Sequence, residues 1–190
     1  TRLYTNLVHG DAFRLRLGKD AAHGSVLYLN PPSATDRRFG RLEEKWLRRF
    51  GPVLRAGGAL FFVVPFYALP ASAETLARDF TDLACFRFPG EHFAAFRQVV
   101  LVARRRAASL LTPDPALGAQ VQAWGADASA IPELPAAGPA LFEVEGSSES
   151  MPHDAWQLQE LDERALRELH APWHVTDRGG RLQAVAGVLP

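Results

Sequence analysis

The stretch SVLYLNPPSATDRRFG, residues 25–40, joins a continuous apolar run to an abrupt Asn-Pro-Pro. Residues 25–30 are rich in β-favouring apolar side chains, which predicts a strand covered on both faces, as in a parallel sheet. Pro31 keeps Asn30 extended, and neither Pro31 nor Pro32 can donate a backbone hydrogen bond. The predicted strand therefore ends in a stiff turn that presents carbonyl oxygens.

Residues on both sides of this stretch predict an alternation of strands and helices. Residues 41–58 carry apolar side chains at helical spacing and end in Gly57-Gly58, which predicts a helix. The other predicted elements are strands at 5–13, 59–65, 84–89 and 97–106 and a helix at 72–80. This alternation is typical of an α/β fold with a mostly parallel sheet. The link GEHFAAF is too short for a parallel crossover, so the last two strands are expected to pair antiparallel.

The character of the chain changes after Arg106. Residues 107–140 contain repeated Pro and Gly residues and few periodic apolar positions, which is typical of a linker or an irregular excursion. A strand-like run at 140–146 and a predicted helix at 162–170 follow. We therefore expect three parts, an α/β region at 1–106, the linker at 107–140 and a small acidic C-terminal extension at 141–190.

Charge is distributed unevenly along a chain whose formal net charge is zero. Residues 1–110 hold 17 Lys and Arg against 9 Asp and Glu, and the remaining residues hold 4 against 12. The basic first part suggests a surface for a polyanion such as nucleic acid, although solvated helix faces account for the same pattern.

Composition argues against several classes of protein. No apolar run reaches the roughly 18 residues that a membrane span requires, and the N-terminus lacks a secretory signal pattern, so we expect a soluble cytoplasmic protein. The single cysteine, Cys85, lies in an apolar context and is expected to be a small buried hydrophobe. The histidines show no metal-binding spacing, so no metal site is predicted.

Asn30 follows its strand at the edge where open parallel sheets bind ligands. Its side-chain oxygen and the adjacent fixed peptide carbonyl form a pair of acceptors that suits a planar amino group. Accepting the N–H bonds of that group withdraws the nitrogen lone pair from conjugation and makes the nitrogen more nucleophilic. Asn30-Pro31-Pro32 is therefore a candidate catalytic element, and the alternative is a plain turn that ends a strand.

A cluster of charged and aromatic residues follows this turn. Arg37 and Arg38 are candidates to hold the phosphates of a nucleic acid, because cations that flank a target pocket suit its backbone. Phe39 lies between them and the next helix and is a candidate to stack on a base.

The order LNPP (29–32), LRAGGALFFVVP (54–65), a helix and a closely linked strand pair resembles the second half of class I S-adenosylmethionine-dependent methyltransferases. Within that class it is most similar to the amino-methyltransferases that carry Asn/Asp-Pro-Pro-Tyr/Phe, chiefly N6-adenine methylases. The resemblance covers residues 5–106. It implies a partial Rossmann-like α/β sheet, mostly parallel with an antiparallel terminal strand pair, followed by a C-terminal extension.

The resemblance also implies an activity and roles for single residues. The cofactor would be S-adenosylmethionine, and the target would be adenine N6 in DNA or RNA. Asn30 and Pro31 would hold the target amino group. Asp11 would accept a hydrogen bond from the adenine amino group of the cofactor, and Phe13 would pack near that adenine.

Two features depart from the pattern of the family. The fourth motif position, which in relatives is an aromatic residue that stacks on the target base, is Ser33, and a serine has no π-face on which a base can stack. Phe39, Phe66 and Tyr67 are the candidates to replace that aromatic. No Gly-rich turn after a first strand is present before Asp11, so we expect a fragment, or a relative without the cofactor half, with a gap in its sheet.

These departures keep other functions open. The main alternative is a catalytically inactive methyltransferase-like module that binds nucleic acid through its basic first half. A protein glutamine amide is a further possible target, since the same pair of acceptors fits a carboxamide.

Overall fold

The chain divides into two compact units, of which Leu17–Ala155 is the larger and Thr1–Arg16 with Trp156–Pro190 is the smaller. The computed structural model describes residues 12–17, 24–36, 40–138, 140–146, 156–158, 174–176 and 182–184. The helices and strands are, in chain order, β1 (Leu15–Leu17), β2 (Gly24–Leu29), β3 (Thr35–Asp36), β4 (Gly40–Arg41), α1 (Leu42–Phe50), β5 (Leu54–Pro65), α2 (Leu69–Asp79), β6 (Phe80–Arg87), α3 (Gly90–Phe96), β7 (Gln98–Arg105), α4 (Pro115–Ala126), β8 (Trp156–Leu158), β9 (His174–Thr176) and β10 (Leu182–Ala184).

A four-stranded sheet in the order β2-β5-β7-β6 forms the centre of the larger unit. β5 pairs parallel with β2 along one edge and antiparallel with β7 along the other, and β7 pairs antiparallel with β6. The sheet is therefore mixed, with β2, β5 and β6 running in one direction and β7 in the other. The sequence did not predict that β7, joined to β6 by the short helix α3, inserts between β5 and β6.

The helix expected at 41–58 is shorter in the structure. α1 ends at Phe50, and a 3-10 turn at Gly51–Val53 leads into β5, which begins at Leu54. Pro52 accounts for the difference, because a proline cannot donate the next helical hydrogen bond. The glycine pair lies inside the strand, where Gly57 has a positive φ of 77° and the register with β2 shifts.

The second predicted helix, at 72–80, begins earlier than expected. α2 starts at Leu69 with Pro70 in its first turn, and Ser72 is buried within the helix. Proline is well tolerated in a first turn because the N–H that it lacks has no helical partner there.

The segment 107–140, expected to be a linker or irregular, contains α4. The side chain of Asp114 caps this helix by accepting hydrogen bonds from the backbone N–H groups of Ala116 (2.9 Å) and Leu117 (3.2 Å). Beyond the helix, Arg87 of β6 exchanges backbone hydrogen bonds of 2.9 Å with Pro132 and Leu134. Periodicity did not predict α4 because its small and apolar residues, PALGAQVQAWGA, are distributed around the whole helix.

The strand-like run at 140–146 is not a strand in the structure. Instead, Phe142 packs on the side chains of Val63, Val100 and Val102, and the Arg104 guanidinium lies 4.8 Å from the centre of its ring. This segment therefore contacts a face of the sheet, where backbone pairing is impossible, rather than an edge.

The two faces of the sheet differ in burial. Leu60, Phe62 and Val64 of β5 are completely or almost completely buried, which indicates that α1 and α2, with their own buried apolar sides, cover that face. On the opposite face, Phe61 and its β2 neighbour Tyr28 are exposed.

Short strands form the remaining sheets. β1 pairs with β8, β9 pairs antiparallel with β10, and β3 pairs antiparallel with β4. The strand predicted at 5–13 lies largely outside the described residues, and the helix predicted at 162–170 lies wholly outside them. The domain boundaries at 106 and 140 remain predictions.

The packing of α4 on α2 can be tested with two glycines of the same helix. A Cβ at Gly125 would lie 2.2 Å from the Cδ atom of Pro70, whereas a Cβ at Gly118 would lie 3.9 Å from the Cβ of Ala77. We expect Gly125→Ala to lower the free energy of unfolding by about 1–3 kcal/mol through overpacking. Gly118→Ala should be neutral or raise it by up to about 1 kcal/mol, because alanine favours helix. Chemical denaturation measures both, and equal effects would contradict this packing.

Cys85 provides a test that depends on pH. Burial raises the pKa of its thiol from 9.0 to about 12, because the thiolate is poorly solvated in the core. The folded chain therefore keeps the thiol protonated, whereas the unfolded chain ionises it above pH 9. As a result, the free energy of unfolding should fall as pH rises from 9 towards 12. We expect a thiol-specific chromogenic reagent to label the native protein very slowly at pH 9 and the denatured protein stoichiometrically. Rapid labelling of native protein would show that the thiol is accessible.

Candidate functional site

The carboxyl ends of β2 and β5 meet at one rim of the sheet, because the two strands are parallel neighbours with Leu29 opposite Phe62. Asn30 follows β2 directly and is exposed, and its carboxamide makes no hydrogen bond to another described residue. Pro31 is buried and holds the turn against the protein, whereas Pro32 and Ser33 are exposed. The amide of Asn30 is therefore accessible to a ligand at this rim.

The chain after the two prolines folds back as a small hairpin. β3 and β4 pair with Thr35 opposite Arg41 and Asp36 opposite Gly40, and Gly40 has a positive φ of 74° that suits a glycine. The N–H of Leu42 then donates a 3.0 Å hydrogen bond to the carbonyl of Ala34. The hairpin returns the chain to the start of α1 and places Arg41 beside Ser33.

Arg41 is the centre of a polar network at this rim. Its guanidinium donates to both carboxylate oxygens of Glu43, with an Nη2–Oε1 distance of 2.7 Å and an Nε–Oε2 distance of 3.2 Å. Nη2 also lies 3.5 Å from Oγ of Ser33, and the guanidinium carbon lies 5.3 Å from the centre of the Tyr67 ring. Glu43 is completely buried, so its two-pronged ion pair holds Arg41 in one orientation.

Aromatic side chains continue the rim where β5 ends. Phe66 and Tyr67 begin a 3-10 turn directly after Pro65, and their rings pack edge to face with centres 5.7 Å apart. Phe66 also packs on Phe93 of α3 at 6.1 Å, and its N–H donates a 2.9 Å hydrogen bond to the carbonyl of Arg97. Tyr67 remains 51% exposed.

The structure brings some of the predicted site residues together and does not describe others. Those at the rim of the sheet are Asn30, Pro31, Pro32, Ser33 and Phe66. Phe13 lies in the 3-10 turn Ala12–Arg14 of the smaller unit and is half-buried. Asp11, Arg37, Arg38 and Phe39 lie outside the described residues, so the predicted cofactor contact of Asp11 and the phosphate contacts stay predictions.

Sequence reasoning missed Arg41 and Glu43. Both occur at the start of α1, where an acidic residue is favoured by the helix dipole alone. The pattern Arg-x-Glu therefore carried no functional signal, and only the hairpin brings this pair next to Ser33. Tyr67 was one of three aromatic candidates. Phe39 lies outside the described residues, and of the other two it is Tyr67 whose ring lies under the Arg41 guanidinium.

A polar cleft of about 380 Å³ lies between α1 and α2, adjoining Arg41. Its charges are paired on each helix, Arg48 with Glu44 at 2.6 Å and Arg78 with Glu74 at 3.2 Å. Because these cations already have carboxylate partners, the cleft does not offer a free basic surface.

The described residues contain no cluster of three or more His, Cys, Asp or Glu side chains arranged to hold a metal ion. Within the same residues, no helix is both long enough and apolar enough to cross a membrane.

A mixed α/β sheet with polar and aromatic groups where its parallel strands end is compatible with a Rossmann-like methyltransferase. A family model matches residues 1–145, and the chain belongs to this family, which is described as an uncharacterised methyltransferase family (DUF6094). The match includes the whole four-stranded sheet and all of α4. Neither a curated protein nor a solved structure matches the chain.

Because Arg41 is paired with a buried carboxylate, we expect its removal to reduce the stability of the fold strongly. Arg41→Met leaves the buried Glu43 carboxylate without its partner and should lower the free energy of unfolding by roughly 2–4 kcal/mol. The matched change Arg48→Met removes an ion pair within α1 whose cation is 69% exposed and whose carboxylate is 15% exposed, and it should cost less than about 1 kcal/mol.

Denaturant titrations of the two variants and of Arg41→Met/Glu43→Leu measure these costs. The double variant should recover much of the loss, because it leaves no buried charge. Equal costs for Arg41→Met and Arg48→Met would contradict the burial of Glu43.

Proposed function

We propose that this methyltransferase uses S-adenosylmethionine to methylate an amino group, adenine N6 in DNA or RNA. Membership of a methyltransferase family supports methyl transfer in general. The observation that carries the choice of an amino target is the accessible Asn30 carboxamide, which follows β2 at the carboxyl end of the strand and has no hydrogen-bond partner among the described residues.

The residues of the rim suggest how the target nitrogen would be prepared. The side-chain oxygen of Asn30 accepts one N–H of the amino group, and the peptide carbonyl at the Asn-Pro-Pro turn accepts the other. Pro31 is buried and its φ is fixed, so the direction of this turn does not change when substrate binds. Two accepted hydrogen bonds favour a pyramidal nitrogen whose lone pair is available for attack.

When bound, S-adenosylmethionine supplies an electrophilic methyl group. The residues that we assign to it are Asp11, which would hold its adenine amino group, and Phe13, which would pack near that adenine. Asn30 and Pro31 would orient the acceptor nitrogen towards the methyl group. The new N–C bond would form as the methyl–sulfur bond breaks and leaves its electron pair on sulfur, and the nitrogen would release one proton to water.

A second candidate function is binding of nucleic acid without catalysis. It is favoured by the excess of basic residues in the first 110 positions and by Ser33, which offers no π-face at the position of a stacking aromatic. A salt-dependent affinity for oligonucleotides without methyl transfer would support this function. Transfer to a glutamine side chain in a peptide would support a protein target instead.

Substitution of Asn30 tests the proposed reaction. Asn30→Ala removes one acceptor and should lower kcat for methyl transfer to adenine about 10²- to 10³-fold, measured with radiolabelled cofactor and an adenine-containing oligonucleotide. Asn30→Asp keeps an oxygen acceptor in place and should retain substantial activity. Because Asn30 is exposed, both variants should unfold at the denaturant concentration of the wild type. Unchanged kcat in Asn30→Ala would exclude the role of this side chain.

A further inference from the structure

Residues 140–146, which we call the strap, lie across one face of the sheet. Phe142 and Val144 are half-buried, whereas the residues that alternate with them are exposed, namely Leu141, Glu143 and Glu145. The ring of Phe142 packs on a cluster of valines from β5 and β7, which consists of Val63, Val100 and Val102. This pattern of burial is that of an extended segment that turns every second side chain towards the sheet.

Two guanidinium groups hold the strap. That of Arg104 lies 4.8 Å from the centre of the Phe142 ring, and that of Arg55 donates a hydrogen bond to the carbonyl of Glu145. A cleft of about 260 Å³ between the strap and the sheet is lined by Arg55, Ala56, Gly57, Arg104, Glu143 and Glu145. The surface under the strap thus combines an apolar cluster with two cations, and the strap matches it with a ring and carboxylates.

The strap covers only part of this face. Along one row of paired residues across the sheet, Tyr28 lies opposite Phe61, and Phe61 lies opposite Val102. Val102, in contact with Phe142, is 7% exposed, whereas Tyr28 is 66% exposed and Phe61 is 36% exposed. Val26, two residues before Tyr28 on the same face, is 58% exposed. The exposed apolar patch of Val26, Tyr28 and Phe61 is therefore continuous with the surface that the strap occupies, and contiguous exposed apolar surface marks interaction sites.

The chemistry of the face favours a peptide over a nucleic acid. Its exposed positions are apolar, which suits aromatic or aliphatic side chains rather than phosphates. Arg104 already pairs with Asp82 at 2.9 Å and faces a ring, so it is not free for a phosphate backbone. Arg55, whose Nε donates a 3.2 Å hydrogen bond to Oγ of Ser25, lies next to the patch and can attract carboxylates. The strap itself shows the sequence that fits, because its apolar side chains alternate with carboxylates.

We propose that the strap is the internal occupant of a docking surface for an extended acidic segment of a partner protein, in which apolar side chains alternate with carboxylates. The partner segment displaces the strap and also covers Val26, Tyr28 and Phe61. This additional apolar contact allows it to compete, because a tethered strap acts at an effective concentration in the millimolar range. The docking surface does not depend on the proposed methyl transfer.

Two synthetic peptides and the isotope-labelled full chain test this docking surface. The short peptide, ALFEVEG, copies the strap, and the long peptide, ALFEVEALFEVEG, repeats it so that one molecule can cover the strap site and the patch together. Shifts of backbone amide NMR signals on titration give each Kd. We expect the wild type to bind the long peptide at least about tenfold more tightly than the short one, because only the long peptide gains the patch in exchange for the strap. A long peptide with glutamine in place of every glutamate should bind more weakly.

Variants of three aromatic residues locate the contact. Tyr28→Ser should remove the advantage of the long peptide. Phe96→Ser is the matched control, since Phe96 is 64% exposed but lies in α3, and it should bind both peptides as the wild type does. Phe142→Ala loosens the internal strap and should bind the short peptide at least about tenfold more tightly than the wild type. Phe142→Leu keeps an apolar side chain on the valines and should give an intermediate affinity.

Several results would overturn the proposal. These are a long peptide that binds no more tightly than the short one or than its glutamine version, a Tyr28→Ser variant that keeps the advantage of the long peptide, and folded Phe142 variants that bind the short peptide no better than the wild type. An oligonucleotide that displaces the long peptide would assign the face to a polyanion instead. A wild type that sediments as a dimer and becomes monomeric in Tyr28→Ser would assign it to a second copy of the chain. The Tyr28→Ser comparison is made with an intact strap, so it decides the question even where both Phe142 variants fail to fold.

Discussion

Strand β5 forms hydrogen bonds along both of its edges, in parallel with β2 and antiparallel with β7. The parallel edge has the larger consequence for the site, because parallel neighbours end on the same side of a sheet. Asn30 and Phe66 follow the ends of these two strands and are brought to one rim although they are distant in the sequence. The antiparallel edge then adds α3, since β7 starts at the same rim, and Phe93 reaches Phe66 from there.

The rim is held by buried groups beneath it, through packing at Pro31 and through an ion pair at Glu43. Pro31 and Glu43 are buried, and they hold Asn30 and Arg41, which reach the surface. A buried carboxylate is costly to desolvate and is tolerated here because Arg41 satisfies both of its oxygens. The same pair restricts the guanidinium and, through it, the neighbourhood of Ser33 and Tyr67.

Family membership and structure contribute different parts of the account. The family establishes methyl transfer as the class of reaction for a chain whose residues 1–145 match it. The structure contributes the arrangement of acceptors, cations and rings at the rim, which supports the choice of an amino group on a planar ring. The cations of the cleft between α1 and α2 are paired with carboxylates, so this cleft is not a suitable binding site for a polyanion.

The sequence alone determined the alternation of strands and helices and the end of β2 at Asn30-Pro31, because apolar runs and prolines act locally on the backbone. It also determined that β6 and β7 are antiparallel, because the length of their link leaves no other pairing. It did not determine the insertion of β7 beside β5, the early end of α1 or the existence of α4, whose Ala- and Gly-rich sequence has no apolar stripe. The contact of Arg41 with Ser33, Glu43 and Tyr67 was decided by tertiary structure, because it requires the β3–β4 hairpin and the end of β5 to meet, and no local pattern encodes a meeting of distant segments.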